Sequence, residues 1–146
     1  MSPQEIAEAC ARAMYAEDTT SQNLGIEIAQ VRPGFARLSM RIGKQLTNGH
    51  GLCHGGYIFI LADTAFAYAC NTYDQRAVAS GASIEFVAPA HAGDTLEAVG
   101  EERLHTGRRG IYDIRVTNQS GELVALFRGR SATIKGTFID SAVGAP

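Results

Sequence analysis

The sequence of 146 residues has little of several things. It has no tryptophan, 4 prolines and 3 cysteines, and its 13 basic residues do not outnumber its 15 acidic ones. The lack of a basic excess argues against a nucleic-acid-binding surface, which carries clustered lysine and arginine. An odd number of cysteines without a CxxC pair supports neither a disulfide framework nor a zinc knuckle. A near-neutral chain can still bind an anionic small ligand through a few local arginines.

A long apolar run is also missing. The longest stretch of low charge, residues 55–70, is shorter than the about 20 residues that span a bilayer, and Asp63 lies at its centre. The N-terminal segment mixes Glu5, Glu8 and Arg12 among apolar residues, which is not the pattern of a signal peptide. We therefore expect a cytoplasmic protein without a membrane partner.

What the sequence does contain is enough apolar residues, 45%, to bury a core. Its length fits a single domain over residues 1–146, with 136–146 expected to be a loose tail. Ser2, Pro3 and Glu5 form the start signal of a short N-terminal helix, because Ser2 can cap it and Glu5 can close a capping box. Residues 19–23 are predicted to be a polar connection.

The remaining pattern predicts an α+β domain. Apolar and polar residues alternate at 37–42, 82–86, 96–99 and 112–116, and a last apolar run covers 123–134, so we expect strands there. A turn at Pro33 and Gly34 predicts a further strand before it. Residues 57–70 are apolar on nearly every side, which indicates a helix buried on nearly every side. The predicted architecture is an antiparallel sheet wrapped around this long central helix.

Asp63 is the first candidate for chemistry, because a carboxylate inside a buried helix loses hydration. One interpretation is a structural aspartate bonded to neighbouring backbone or hydroxyl groups. The other is a carboxylate at the edge of a cavity that acts as base or nucleophile. We prefer the second because of the residues that begin the same helix.

His54, Gly55 and Gly56 lie where a polar loop turns into that helix. Two glycines leave the first backbone N–H groups uncovered, and the positive end of the helix favours an oxygen that gains negative charge. The alternatives are an ordinary Gly-Gly turn and a surface histidine. Gly55 and Asp63 would be about 12 Å apart along one helix, too far for one small reacting group. If both belong to one site, a second copy of the chain must supply one of them, so we expect a homodimer.

Other nucleophiles and ligands are less favoured. Cys53 and His54 are adjacent and seldom point at each other, so a catalytic Cys53 is disfavoured. His50, Cys53 and His54 match no familiar spacing of metal ligands, and we expect no metal. Arg108 and Arg109 lie in a Gly-flanked hairpin, where they are either a solvated face or a phosphate site.

The runs from Asn48 to Gly56 and from Leu61 to Ala67 resemble the hotdog-fold acyl-CoA thioesterases, especially the PaaI-like family of phenylacetic acid degradation. The resemblance covers about Leu24 to Lys135. It implies the hotdog fold, a dimer with a shared sheet, commonly a tetramer, and hydrolysis of acyl-CoA thioesters without a cofactor.

The resemblance also implies roles for individual residues. Asp63 would be the base that activates water or the direct nucleophile, and Thr64 would support Asp63 or the water. The Gly55 N–H would polarise the thioester carbonyl across the subunit interface, at a site shaped by His54 and Asn48. The implied CoA contacts are Gly81, Ser83, Arg108, Arg109 and Lys135. Ser80 and Ser83 both fit the family's helper hydroxyl on the third strand.

The expected substrates are (hydroxy)phenylacetyl-CoA and related aromatic or short acyl-CoAs. The alternative function is a non-catalytic acyl-CoA-binding module on the same fold, to which a buried carboxylate beside the thioester would offer nothing. A hydratase is less favoured, because nine residues separate His54 from Asp63.

Overall fold

The computed structural model describes residues 1–139. Within these residues, three α-helices, one short 3-10 turn and six strands follow each other. In chain order they are α1 (Pro3–Glu17), α2 (Thr19–Leu24), β1 (Glu27–Arg32), β2 (Phe35–Arg41), the 3-10 turn (Lys44–Leu46), α3 (Gly55–Cys70), β3 (Ala77–Phe86), β4 (Thr95–Thr106), β5 (Arg109–Thr117) and β6 (Leu123–Thr133).

All six strands form one antiparallel sheet in the order β1-β2-β4-β5-β6-β3. The central strands β2, β4 and β5 make the most contacts with α3, which packs across one side of the sheet. The core consists of α3 and the inward residues of the strands. This confirms the predicted α+β architecture and leaves β1 and β3 as the two edges of the sheet.

The two N-terminal helices follow from local capping. Ser2 accepts the Glu5 N–H while the Glu5 carboxylate accepts the Ser2 N–H, so the predicted capping box is confirmed. The prediction of a polar connection at 19–23 is wrong, because Asp18 caps a second helix by accepting the Ser21 N–H at 3.1 Å. Gly25 ends that helix in the left-handed conformation at φ 71°.

Two glycines let α3 lie close to the sheet. A Cβ on Gly129 would meet the Phe66 ring at 2.7 Å, and a Cβ on Gly100 would meet the Ala65 carbonyl oxygen at 3.3 Å. Side chains at these places would push the helix away from β4 and β6. The fixed approach of α3 sets where its functional residues lie.

One side of strand β3 is apolar but only partly covered. Ile84 and Phe86 pair with Phe127 and Ala125 and so share their side of the sheet, yet Phe86 is 55% exposed. The reason is that β3 is an edge strand that α3 covers only partly. One apolar side of this edge therefore stays open within a single chain.

The first residues of the segment expected to be a loose tail make hydrogen bonds to the α3–β3 loop. The Asp74 carboxylate accepts the N–H groups of Phe138 and Ile139 at 2.8 and 2.9 Å, and the Arg76 guanidinium donates to the Thr137 carbonyl at 3.1 Å. Residues 136–139 are thus held against the α3–β3 loop. The rest of the predicted tail, 140–146, lies outside the described residues.

Within residues 1–139, none of the helices has the length and apolar character needed to cross a membrane.

Candidate active site

The N-terminus of α3 presents an uncovered backbone amide. His54 caps the helix, and its Nδ1 accepts the Gly56 N–H at 3.0 Å. Within residues 1–139 the Gly55 N–H has no acceptor. A Cβ on Gly55 would lie 3.3 Å from the Phe86 ring, so β3 closes over this end of the helix. The amide can donate to a ligand oxygen, at the end of the helix that favours negative charge.

The loop before α3 is held by Asn48. Its side-chain oxygen accepts the N–H groups of His50 and Leu52 at 2.8 and 3.3 Å, and its backbone N–H donates to the Leu52 carbonyl. The His54 N–H donates to the Leu46 carbonyl at 2.8 Å. Asn48 therefore builds the loop that carries His54, while its side-chain NH2 group has no acceptor in the part of the chain that the structure describes.

Asp63 lies on the side of α3 that the sheet does not cover. Its carboxylate has no hydrogen-bond or ion-pair partner among residues 1–139, although the side chain is half-buried. Partial burial without a cation raises the pKa of Asp63 above its ordinary value. The structural interpretation of Asp63 requires a bond to neighbouring groups, and the described residues provide none.

Thr64 is less free to assist than its position suggests. Its hydroxyl donates to the Ile60 carbonyl at 2.6 Å, one turn earlier in α3. In this geometry the hydroxyl has only acceptor capacity left, so it can receive a hydrogen bond from water but does not donate to Asp63.

Asp63 belongs to a half-exposed stripe of α3. Gly56, Ile60, Asp63 and Ala67 follow at spacings of three and four residues and lie on the side opposite the buried residues. Gly55 remains about 12 Å away along the same helix. The stripe is apolar except for one carboxylate, which is unusual for a surface open to water.

A cleft of about 520 Å³ lies at the other end of α3. Arg108 and Lys135 both line it, and neither side chain has an ion pair or hydrogen bond within the described residues. Arg109 does not line this cleft; it pairs with Thr106 and Ala132 at the start of β5. Two of the three predicted cations therefore converge, although 27 residues separate them in the chain.

Gly81 and Ser83 lie on the opposite side of the sheet from α3, in register with Arg130 and Arg128. A Cβ on Gly81 would meet the Arg130 guanidinium at 2.9 Å. Ser80 forms a bulge between them and Ala79, and its hydroxyl donates to the Arg130 carbonyl at 3.2 Å. Within one chain, these residues and Asp63 do not form one site.

Cys53 is unsuited to be a nucleophile. It is buried, and burial together with the Asp94 charge raises the pKa of its thiol to about 11, so the thiolate is scarce at neutral pH. In residues 1–139 no three or more His, Cys, Asp or Glu side chains gather as metal ligands would.

Sequence reasoning missed several residues beside these positions. The position of Phe86 over Gly55 depends on the register of β3, which no local sequence pattern reveals. Tyr73 and His105 line the same cleft as Arg108 and Lys135. The sequence hint of this cleft was His105, which lies three residues before Arg108.

Comparison with known proteins gives the family. The model of the thioesterase superfamily matches residues 50–125. The acyl-coenzyme A thioesterase PaaI of Escherichia coli (strain K12) is 48% identical over 132 residues, which are 90% of this chain and 94% of that protein.

Two solved structures extend the comparison. The structure of the E. coli PaaI protein from the phenylacetic acid degradation operon has a TM-score of 0.92 at 48% identity, over 93% of this chain and 99% of that one. A Streptococcus mutans UA159 protein bound to acetyl CoA has a TM-score of 0.73 at 25% identity, over 77% and 90% of the two chains. The match in fold and the family model agree with the resemblance in the Asn48–Gly56 and Leu61–Ala67 runs. The chain therefore belongs to the thioesterase superfamily, as a PaaI-like acyl-CoA thioesterase of the hotdog fold.

Proposed function

We propose that this member of the acyl-CoA thioesterase family hydrolyses (hydroxy)phenylacetyl-CoA or related aromatic and short acyl-CoAs to the free acid and CoA. The substrate class rests on the similarity to E. coli PaaI, a protein of a phenylacetic acid degradation operon. The observation that carries the reaction is the half-buried, unpartnered carboxylate of Asp63 on an otherwise apolar stripe. The reaction needs water as its only co-substrate, and we place it in the cytoplasm.

Asp63 acts as general base or as direct nucleophile. As base, its carboxylate takes a proton from water while the hydroxide oxygen bonds to the thioester carbonyl carbon. The tetrahedral intermediate then expels the CoA thiolate, which leaves without a strong acid and is protonated afterwards. The raised pKa of Asp63 suits this role, because a more basic carboxylate accepts a proton more readily.

The Gly55 N–H receives the carbonyl oxygen as it becomes negative. The amide is uncovered, and it lies at the first position of a 16-residue helix whose dipole favours that charge. His54 keeps the neighbouring Gly56 N–H occupied, so a single backbone donor is left for the oxyanion. Asn48 shapes the entrance through the loop that it holds.

The working unit is a homodimer with composite sites, assembled further into a tetramer. Each chain leaves the β3 edge, the exposed Phe86 and the half-exposed stripe of α3 uncovered. Antiparallel pairing of two β3 edges would run the two copies of α3 in opposite directions. The Gly55 end of one helix then approaches Asp63 of the other helix. The dimer thus brings together two groups that are too far apart within one chain.

CoA is held by its phosphates. Arg108 and Lys135 offer two unpaired cations in one cleft. Arg109, Gly81 and Ser83 contact the nucleotide from the side of the sheet opposite α3. The acetyl CoA bound by the Streptococcus mutans relative is consistent with this ligand class. Phosphates favour arginine because its planar guanidinium can donate two hydrogen bonds.

Release of free thiol from phenylacetyl-CoA tests the reaction. We expect turnover by the parent and a loss of kcat of about a hundredfold or more for Asp63→Asn, the scale of a lost general base. The matched control is Asp113→Asn, a carboxylate on the other side of the sheet, which should keep the parent's kcat. Equal turnover by Asp63→Asn would contradict the assignment. Binding of acyl-CoA without any turnover would favour the non-catalytic binding module.

Mixed dimers test the composite site. Gly55→Pro removes the N–H at a helix position that tolerates proline, and Gly55→Ala is its matched control with the N–H kept. Alone, Gly55→Pro and Asp63→Asn should both be nearly inactive. Co-refolded in equal amounts, they should regain about a quarter of the parent activity, because half of the dimers then contain one intact site. No recovery from a verified mixed dimer would place both groups in one chain.

A further inference from the structure

A carboxylate lies next to the cleft proposed for the CoA phosphates and is hydrogen-bonded to a residue that lines it. Glu102 on β4 is 26% exposed in its side chain, and its Oε1 accepts hydrogen bonds from Tyr73 at 2.9 Å and Tyr112 at 2.8 Å. Tyr73 itself lines the cleft. A negative charge beside a phosphate site weakens binding, unless another group offsets it.

His105 is the group placed to offset it. Its Nδ1 lies 3.8 Å from Glu102 Oε1, and its ring stacks on Tyr73 with centroids 5.0 Å apart and planes at 19°. His105 also lines the cleft with the two cations. Stacking and the carboxylate hold the imidazole in place, which lowers the entropy cost of using it as a ligand.

The groups around His105 come from several elements. They are Glu102 on β4, Tyr73 in the α3–β3 loop, Cys70 at the end of α3, Arg108 in the β4–β5 turn and Lys135 after β6. Burial raises the pKa of Tyr73 and of Cys70 to about 12, so both stay neutral at ordinary pH.

We infer that His105 is a third cationic ligand of the CoA phosphates, active only when its imidazole is protonated. This rests on the proposed CoA site. With a neutral imidazole, Glu102 cancels one of the two permanent cations of the cleft. A proton on His105 offsets Glu102 and leaves both Arg108 and Lys135 available to the phosphates. CoA binding should therefore take up a proton and weaken as the pH rises.

Calorimetric titration with CoA alone tests this without any catalytic step. Between about pH 5.5 and about pH 8, the range in which histidines titrate, the Kd of the parent should rise about threefold to fivefold, the scale of one partly exposed charge pair. The phosphate of CoA itself gains charge in this range and would strengthen binding, so it cannot produce this trend. His105→Gln should abolish the rise, and at acid pH it should bind CoA more weakly than the parent does.

The matched control is His91→Gln. His91 faces Asp94 at 3.7 Å with the same spacing of three residues, but it does not line the cleft. His91→Gln should keep the parent's pH dependence. A parent Kd that does not rise with pH, or an unchanged rise in His105→Gln, would overturn the inference. Absence of CoA binding at every pH would instead contradict the proposed CoA site.

Discussion

Asp63 and Asp113 are carboxylates on opposite sides of one sheet, and their surroundings shift the pKa of the two groups in opposite directions. On the outer side, Arg128 binds Asp113 through two hydrogen bonds of 2.7 and 2.9 Å, and Arg103 adds one of 3.1 Å. On the α3 side, the described residues give Asp63 no partner. The hydrogen bond from Arg128 lowers the pKa of Asp113, while burial raises the pKa of Asp63.

The charge of Asp113 stabilises the fold through its ion pairs, whereas the charge of Asp63 has no stabilising partner within the described residues of one chain. The outer side of the sheet uses alternating charges in neighbouring strands, such as Arg37 and Glu97 at 3.4 Å, which is ordinary for a solvated surface. The α3 side keeps a carboxylate that gains nothing within one chain. Folding alone gives no reason for Asp63, so its reason has to be found in a ligand or a second subunit.

The largest expected effect that tests this difference between Asp63 and Asp113 is in the pH profile of kcat/KM. If Asp63 must be ionised to work, kcat/KM should fall about tenfold for each pH unit below its pKa. Because burial raises that pKa, the fall should begin above the range of an ordinary aspartate. Asp113→Asn should leave this acid-side fall in kcat/KM at the same pH. A fall that begins only at or below about pH 3.9, the ordinary aspartate value, would contradict the proposed role of Asp63.

A smaller effect concerns stability, and its sign differs between the two carboxylates. A raised folded-state pKa means that the folded chain loses stability as the pH rises through it, so Asp63→Asn should unfold at a higher temperature than the parent at pH 7. A lowered pKa means stability that is present at neutral pH and lost in acid. Asp113→Asn should therefore lower the free energy of unfolding at pH 7 by about 0.5–1 kcal/mol, the scale of partly exposed pairs.

Thermal melts at neutral and acid pH check both signs. As the pH falls, the Asp63→Asn difference should shrink between the raised pKa and the ordinary aspartate pKa, and the Asp113→Asn difference should shrink only below the ordinary pKa, because the folded-state pKa of Asp113 is lowered. A destabilised Asp63→Asn at pH 7 would mean that the ionised group has a stabilising partner after all. The melts need a fixed protein concentration, since a dimer's unfolding temperature depends on it.

Local signals in the sequence predicted the parts of the fold that depend on few residues. The capping box at Ser2 and Glu5 and the all-round apolar surface of α3 are decided by neighbours in the chain. The helix at 19–24 was missed because five of its six residues are polar and only the Asp18 cap marks it. The exposure of Phe86 was missed because alternation identifies a strand and says nothing about which strand ends the sheet.

The candidate site divides in the same way. His54 and Gly55 could be placed at a helix start from sequence, because the apolar run begins there. That Arg108 and Lys135 share a cleft depends on the pairing of β5 with β6, which no spacing reveals. The half of the site proposed to come from a second chain cannot be read from one copy at all.

The bulge at Ser80 has a consequence for exchanging parts between relatives. Before it, Ala77 and Ala79 share the side of the sheet that faces α3; after it, Ala82, Ile84 and Phe86 do. One extra residue thus shifts the phase of the strand, so that odd numbers face inward on one half and even numbers on the other. Deleting Ser80 would remove the bulge and leave Ser83 and Phe86 on their present sides, whereas adding or deleting one residue in the regular part of β3 would turn Ser83 toward the helix and Phe86 away from Gly55. A chimera should therefore take β3 whole, because a junction misplaced by one residue would turn half of the strand inside out without changing its composition.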